Sequence, residues 1–147
     1  MEDCNELVLE FVSRPENVAV ARVTVAALAA QLDPSLPELD DVRLAVSEAV
    51  TNATIHAYPG TTGRVVVRAR LCQRRLTVEI IDYGQGIADI EQARQPSFST
   101  DPNPERMGLG FAFMESCMDQ VEVESAPGRG TTIRLIKEFP EVPAEDS

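Results

Sequence analysis

In "LVLEFVS" apolar residues alternate with others, Leu7, Leu9 and Phe11 falling on one side, which is the period of a half-buried strand. The period then changes. In "SRPE", Ser13 and Glu16 stand at capping-box spacing with Pro15 in the first turn, and an Ala- and Val-rich helix is expected from about Pro15 to Leu32. Ser35, Pro37 and Glu38 repeat the start signal for a second helix, which ends before Pro59 and Gly60. "RVVVRARLC" and "RLTVEIID" alternate about the polar turn Gln73-Arg74-Arg75 and predict a hairpin. "YGQGIADIEQAR" predicts a Gly-rich turn and a short helix, and the proline-rich "QPSFSTDPNPER" a mobile loop. "GLGFAFMESCM" is a helix preceded by two glycines, and "VEVESAPGRGTTIRLIKEF" a second hairpin. There is no internal repeat. This order predicts one domain over residues 1–140, an α/β two-layer sandwich with helices on one face of a mixed, mostly antiparallel sheet. Residues 141–147 read as an acidic tail, expected to be disordered.

Composition narrows the partners. A chain of 147 residues can bury a sizeable core, and its net charge of -11 argues against a nucleic-acid backbone or an anionic membrane as main partner. Basic protein surfaces remain open. No apolar run approaches the roughly 18 residues of a membrane span, and "MEDCNELVLEF" lacks the basic-then-apolar order of a signal peptide, so a cytoplasmic protein is expected. Cys4, Cys72 and Cys117 are odd in number and without metal-type spacing, which predicts free thiols in a reducing compartment.

Three constellations carry chemistry. On the second helix Val42, Ala45, Val46, Ala49, Val50 and Ala53 form one apolar stripe, with Leu44 and Ile55 further round. Glu48 and Asn52 lie between them, one turn apart. They are either a flank pair reaching solvent or bonding each other, or the lining of a cleft. In a cleft, an amide oxygen can ligand Mg²⁺ and a carboxylate can deprotonate a nucleophile. In "EIIDYGQGIAD" a strand delivers Asp82 to its end before Gly84 and Gly86. Asp82 accepts only, which suits an exocyclic amino group, although a plain tight turn would look the same. The G-x-G-x-x-G and G-K-[ST] spacings are absent. In "ERMGLGF", Gly108 and Gly110 mark a helix start that favours anions, with Arg106 in reach of a phosphate, or else a junction with a solvated Arg.

Taken in order, Glu48-x₃-Asn52, Asp82-x-Gly84-x-Gly86 and Gly108-x-Gly110 resemble the ATP-binding fold shared by gyrase, Hsp90, histidine kinases and MutL. "VSEAVTNATIHAY", "DYGQGI", "ARQPSFST" and "ERMGLGF" narrow the resemblance to the anti-sigma-factor serine kinases of spore-forming bacteria. "ENVAVARVTVAALAAQLDP" and "GTTIRL" extend it over essentially the whole chain. The resemblance implies ATP/ADP and Mg²⁺ as ligands, with Glu48 as catalytic base, Asn52 as the Mg²⁺ ligand, Asp82 as adenine reader and Arg106 as γ-phosphate sensor. Gly84, Gly86, Ile87, Thr100, Gly108, Leu109, Gly110 and Thr131 complete the nucleotide site, and residues from about Pro96 to Met107 form a lid. It further implies a homodimer that binds sigma factor F and phosphorylates a serine of a small anti-anti-sigma protein. The first strand and helix would be the dimer and sigma surface, with Arg22 as a contact. Ala57 departs from the Gly expected there.

Other readings compete: a stress-response kinase for another sigma factor, a nucleotide-gated binding module without kinase activity, or a stand-alone ATPase. Retention of both Glu48 and Asn52 speaks against the second, and no transducer domain follows for the third. Arg22 could equally be solvated or paired with Glu16. His56 reads as a helix-end hydrogen-bonding residue, Cys117 and the methionines of "FAFMESCM" as core, and Arg68, Arg70, Arg74 and Arg75 as a solvated face.

Overall fold

The computed structural model describes residues 4–87 and 110–141. Strand β1 (Cys4–Val12) leads into helix α1 (Asn17–Ala29), continued by a 3-10 turn, Ala30–Leu32. Helix α2 (Leu36–Thr51) runs into a π-helical turn, Asn52–His56, before the hairpin β2 (Arg64–Cys72) and β3 (Arg75–Asp82). Helix α3 (Phe111–Cys117) and the hairpin β4 (Gln120–Ala126) and β5 (Gly130–Glu138) follow. The sheet order is β1-β2-β3-β5-β4. Every pairing among the described residues is antiparallel, where the sequence also allowed a parallel one.

The helices cover one face of the sheet. The α2 stripe Val42, Ala45, Val46, Ala49 and Val50 is fully buried, and so are Val25 of α1 and Phe111 and Met114 of α3. They meet Val65, Val67, Leu76, Val78, Ile80 and Leu135 of the strands. Cross-strand register turns this inner face into rungs. Val67, Ile80, Ile133 and Val123 make one, and Ala69, Val78, Leu135 and Val121 the next. The outer face is polar where Arg134 bonds Glu79 (2.9 Å) and Glu122 (2.6 Å) across the strands, which holds its guanidinium firmly charged.

At α2 the capping box forms as its spacing predicts: Ser35 Oγ accepts the Glu38 N–H, and Glu38 the Ser35 N–H. At α1 it does not. Ser13 is buried, and its hydroxyl accepts the Gly63 N–H (2.9 Å) while its own N–H donates to the Gly63 carbonyl. The residue prolongs the β1/β2 pairing instead of capping a helix, so α1 starts at Asn17, without a side-chain cap. The thiols are a second correction. Register sets Cys4 directly opposite Cys72, and a disulfide joins them across a sequence separation of 68 that spacing arguments cannot see. Cys117 is free and buried in the core, as expected. Arg74 is not solvated either: it donates to the carbonyls of Leu32, Phe139 and Pro140, tying the end of β5 to the 3-10 turn.

Candidate functional site

The sheet's inner face ends in a polar rung. Asp82, the last residue of β3, stands opposite Thr131 of β5, which stands opposite Ser125 of β4. Asp82 and Thr131 are buried, 6% and 7% exposed, where the rungs behind them are apolar. Burial raises the Asp82 pKa. The backbone N–H groups of Gly84 (2.9 Å to Oδ1) and Thr131 oppose that by holding the ionised form. Asp82 is thus a fixed acceptor at the edge of the core.

The turn after Asp82 is clamped on both sides. The Gln85 N–H donates to the Ala57 carbonyl (2.9 Å) and Gln85 Nε2 to the His56 carbonyl (2.8 Å), while the Gly128 N–H donates to the Gln85 carbonyl. At Gly86, with φ +77, a Cβ would strike the Ala126 carbonyl, so only glycine closes this turn against the β4/β5 hairpin. Gly84 packs as tightly on Ala57, whose own Cβ the site accommodates because Gly84 has none. Ile87 N–H ends on Ser125 Oγ (2.7 Å). Tyr58 braces the same corner: its hydroxyl takes the Tyr83 N–H (2.7 Å) and donates to the Arg64 carbonyl (2.6 Å). Burial raises its pKa as well.

Along α2, Glu48 and Asn52 follow the line foreseen from their spacing. Glu48 is half-buried, and burial lifts its pKa above its ordinary value. Its carboxylate faces Gly110, the residue before α3, whose φ of +76 and lack of a Cβ let the two meet. Asn52 is 8% exposed and opens the π-helical turn, in which the Ala57 N–H reaches the Asn52 carbonyl (3.1 Å). Such turns gather at functional sites because the extra residue re-aims side chains. From Glu48 to His56 this line covers about 12 Å at 1.5 Å per residue. It runs from Gly110 at one end to the Asp82 turn at the other.

The structure therefore sets Glu48 against Gly110, with Asn52 one turn further along the same line, and separately gathers Asp82, Gly84, Gly86, Ile87 and Thr131, with α2 and its π-helical turn connecting the groups. Arg106, Thr100, Gly108, Leu109 and the lid lie outside the described residues, as does the short helix expected after Gly86. Arg22 is far in sequence from both groups, yet its Nη1 lies 3.4 Å from Ser47 Oγ, beside Glu48, and it pairs with no acid in that contact. Ser125 and Tyr58 were missed. The alternation Val121, Val123, Ser125 already points the serine inward with the β4 core residues, and that signal was available in the sequence.

The donor set fits an adenine nucleotide with a hard cation. A buried carboxylate at the rung, beside a hydroxyl that can accept, suits an amino group. The Asn52 amide oxygen, one turn from Glu48, would suit a Mg²⁺ that keeps most of its shell from water and phosphate. No group of three or more His, Cys, Asp or Glu side chains among the described residues could hold a metal.

Residues 11–137 match the family described as the histidine kinase-like ATPase domain. An anti-sigma F factor of Caldanaerobacter subterraneus is 49% identical over 137 residues, which is 93% of this chain and 96% of that one. The chain belongs to the anti-sigma F factor family. A second relative of that name, from Clostridium acetobutylicum, is 50% identical over 135 residues, covering 92% of this chain and 94% of its own. Among solved structures, the RsbU and RsbW domains of Rv1364c from Mycobacterium tuberculosis superpose with a TM-score of 0.67 at 21% identity, over 93% of this chain and 34% of that one. That likeness confirms the fold, which is the one the resemblance implied. No helix among the described residues is long and apolar enough to cross a membrane.

Proposed function

We propose that this chain binds sigma factor F, keeping it from RNA polymerase, and that it acts as an ATP-dependent serine kinase on a small anti-anti-sigma protein. The observation that carries the reading is the half-buried Glu48 carboxylate facing Gly110 one turn from Asn52, in a family of anti-sigma F factors.

In this reading Asp82 and Thr131 take the adenine amino group, and Gly84, Gly86 and Ile87 shape the pocket around the ring. Asn52 would hold Mg²⁺, which when bound would offset charge along the phosphates. Gly108, Leu109 and Gly110 present backbone N–H groups to the phosphates, Thr100 belongs to the lid, and Arg106 meets the γ-phosphate. Glu48 accepts the proton of the attacking serine hydroxyl. Burial raises its pKa, which makes it a stronger base than an ordinary carboxylate and suits that task.

The chain works as a homodimer in the cytoplasm, where RNA polymerase is. Sigma factor and antagonist compete for the α1 surface around Arg22, where Val20 and Val23 are 50% and 63% exposed. Arg is enriched among interface hot spots, which makes Arg22 the anchor of this surface and the valines its surround. Arg22→Glu should weaken capture of sigma factor and antagonist together and leave ATP affinity as it is. Partner pull-down beside ATP titration reads both, and full capture by an ATP-competent variant would move the surface elsewhere.

A further inference from the structure

Ser125 is used by nothing in the mechanism above, yet it sits at the end of the polar rung with all its hydrogen-bonding capacity engaged. Its Oγ accepts the Ile87 N–H (2.7 Å), lies 3.0 Å from the Gly130 carbonyl and 2.8 Å from Thr131 Oγ1. Either hydroxyl can donate in the Ser125–Thr131 contact, but the arrangement that makes all three contacts hydrogen bonds puts the Ser125 proton on the Gly130 carbonyl, which can only accept, and the Thr131 proton on Ser125. In that arrangement the Thr131 proton is turned away from the rung's open side, and Thr131 offers lone pairs there, as Asp82 does.

We propose that Ser125 is a positioning residue for base selection: by holding the Thr131 proton it makes the Asp82–Thr131 pair an acceptor-only surface that favours a 6-amino purine over a 6-oxo purine. The inference rests on the reading of this rung as the adenine site and names the residue that sets its polarity. A 6-oxo group would face two acceptors with no proton between them. Without Ser125 the Thr131 hydroxyl could rotate and donate to that oxygen.

The test compares binding of ATP and of inosine triphosphate, which replaces the 6-amino group by a carbonyl, in the wild-type chain and in Ser125→Ala, Ser125→Thr and Thr131→Val. One misdirected buried hydrogen bond is worth roughly tenfold in affinity. The ATP-to-inosine-triphosphate affinity ratio should therefore narrow by about that factor in Ser125→Ala and return in Ser125→Thr. If Ser125→Ala does not fold, Thr131→Val removes the hydroxyl whose lone pairs Ser125 turns toward the base and should also narrow the ratio. A folded Ser125→Ala with the wild-type ratio, or an unchanged ratio in Thr131→Val, would overturn the role of Ser125. A wild-type chain that binds both nucleotides equally would overturn the adenine site itself, a separate result.

Discussion

Two carboxylates short of water stand at opposite ends of the α2 line, and burial raises the pKa of both, Glu48 beside Gly110 and Asp82 on the rung. For a carboxylate raised in the folded state, the stabilising contribution is complete below the unfolded-state pKa and is lost as pH rises through the folded value. Ionising either one therefore costs stability, which is what a carboxylate kept for a ligand rather than for the fold would show. Asp82→Asn keeps the shape and removes the charge. Its melting temperature relative to the wild-type chain should rise as pH climbs from the acid side through the carboxylate range, while its ATP affinity falls by roughly tenfold or more, as expected for a lost hydrogen bond to a charged group. Thermal unfolding against pH, paired with ATP titration, checks both. A melting difference that does not change with pH would mean that Asp82 is not held at a raised pKa.

At the scale of elements, β1 is the part most dependent on long-range bonds. It is an edge strand, half-buried on its inner face, with Val8 59% exposed on the other. The Cys4–Cys72 disulfide holds one end to β2 and Ser13 with Gly63 the other. Closing a loop of this separation contributes about 4 kcal/mol in the chain-entropy picture. Cys72→Ser, or a dithiol reductant, should lower the unfolding midpoint accordingly, and identical denaturant curves with and without reductant would show β1 to be held by pairing alone. These features were hidden because register joins residues far apart in the chain, and no local pattern announces it. The π-helical turn at Asn52 was hidden for a different reason: it is a change in backbone bonding that leaves the side-chain pattern intact. What was legible had local causes. The α2 stripe and its Ser35 cap follow from periodicity and capping chemistry, and Glu48, Asn52 and Asp82 stood out as polar residues where those patterns call for apolar ones.

On the whole-molecule scale, the single sheet with its helices on one face leaves a site at the ends of β3, β4 and β5 and a separate surface on α1. One acidic chain, with net charge -11, can so hold a nucleotide against its own fixed acceptors while offering partners another face. The phosphoryl-transfer reading asks this site for positioning, charge neutralisation and a base, and asks little covalent chemistry of the protein. The most direct measurement is incubation of the chain with labelled ATP, Mg²⁺ and the small anti-anti-sigma protein, followed by phosphoamino-acid analysis, for the wild type and Glu48→Gln. Label should appear on serine of the antagonist with the wild-type chain. It should fall by roughly a hundredfold or more with Glu48→Gln, the loss expected on removing a general base, although that variant still binds ATP. Absence of phosphoserine with an ATP-binding wild-type chain, or an undiminished rate in Glu48→Gln, would contradict the kinase assignment.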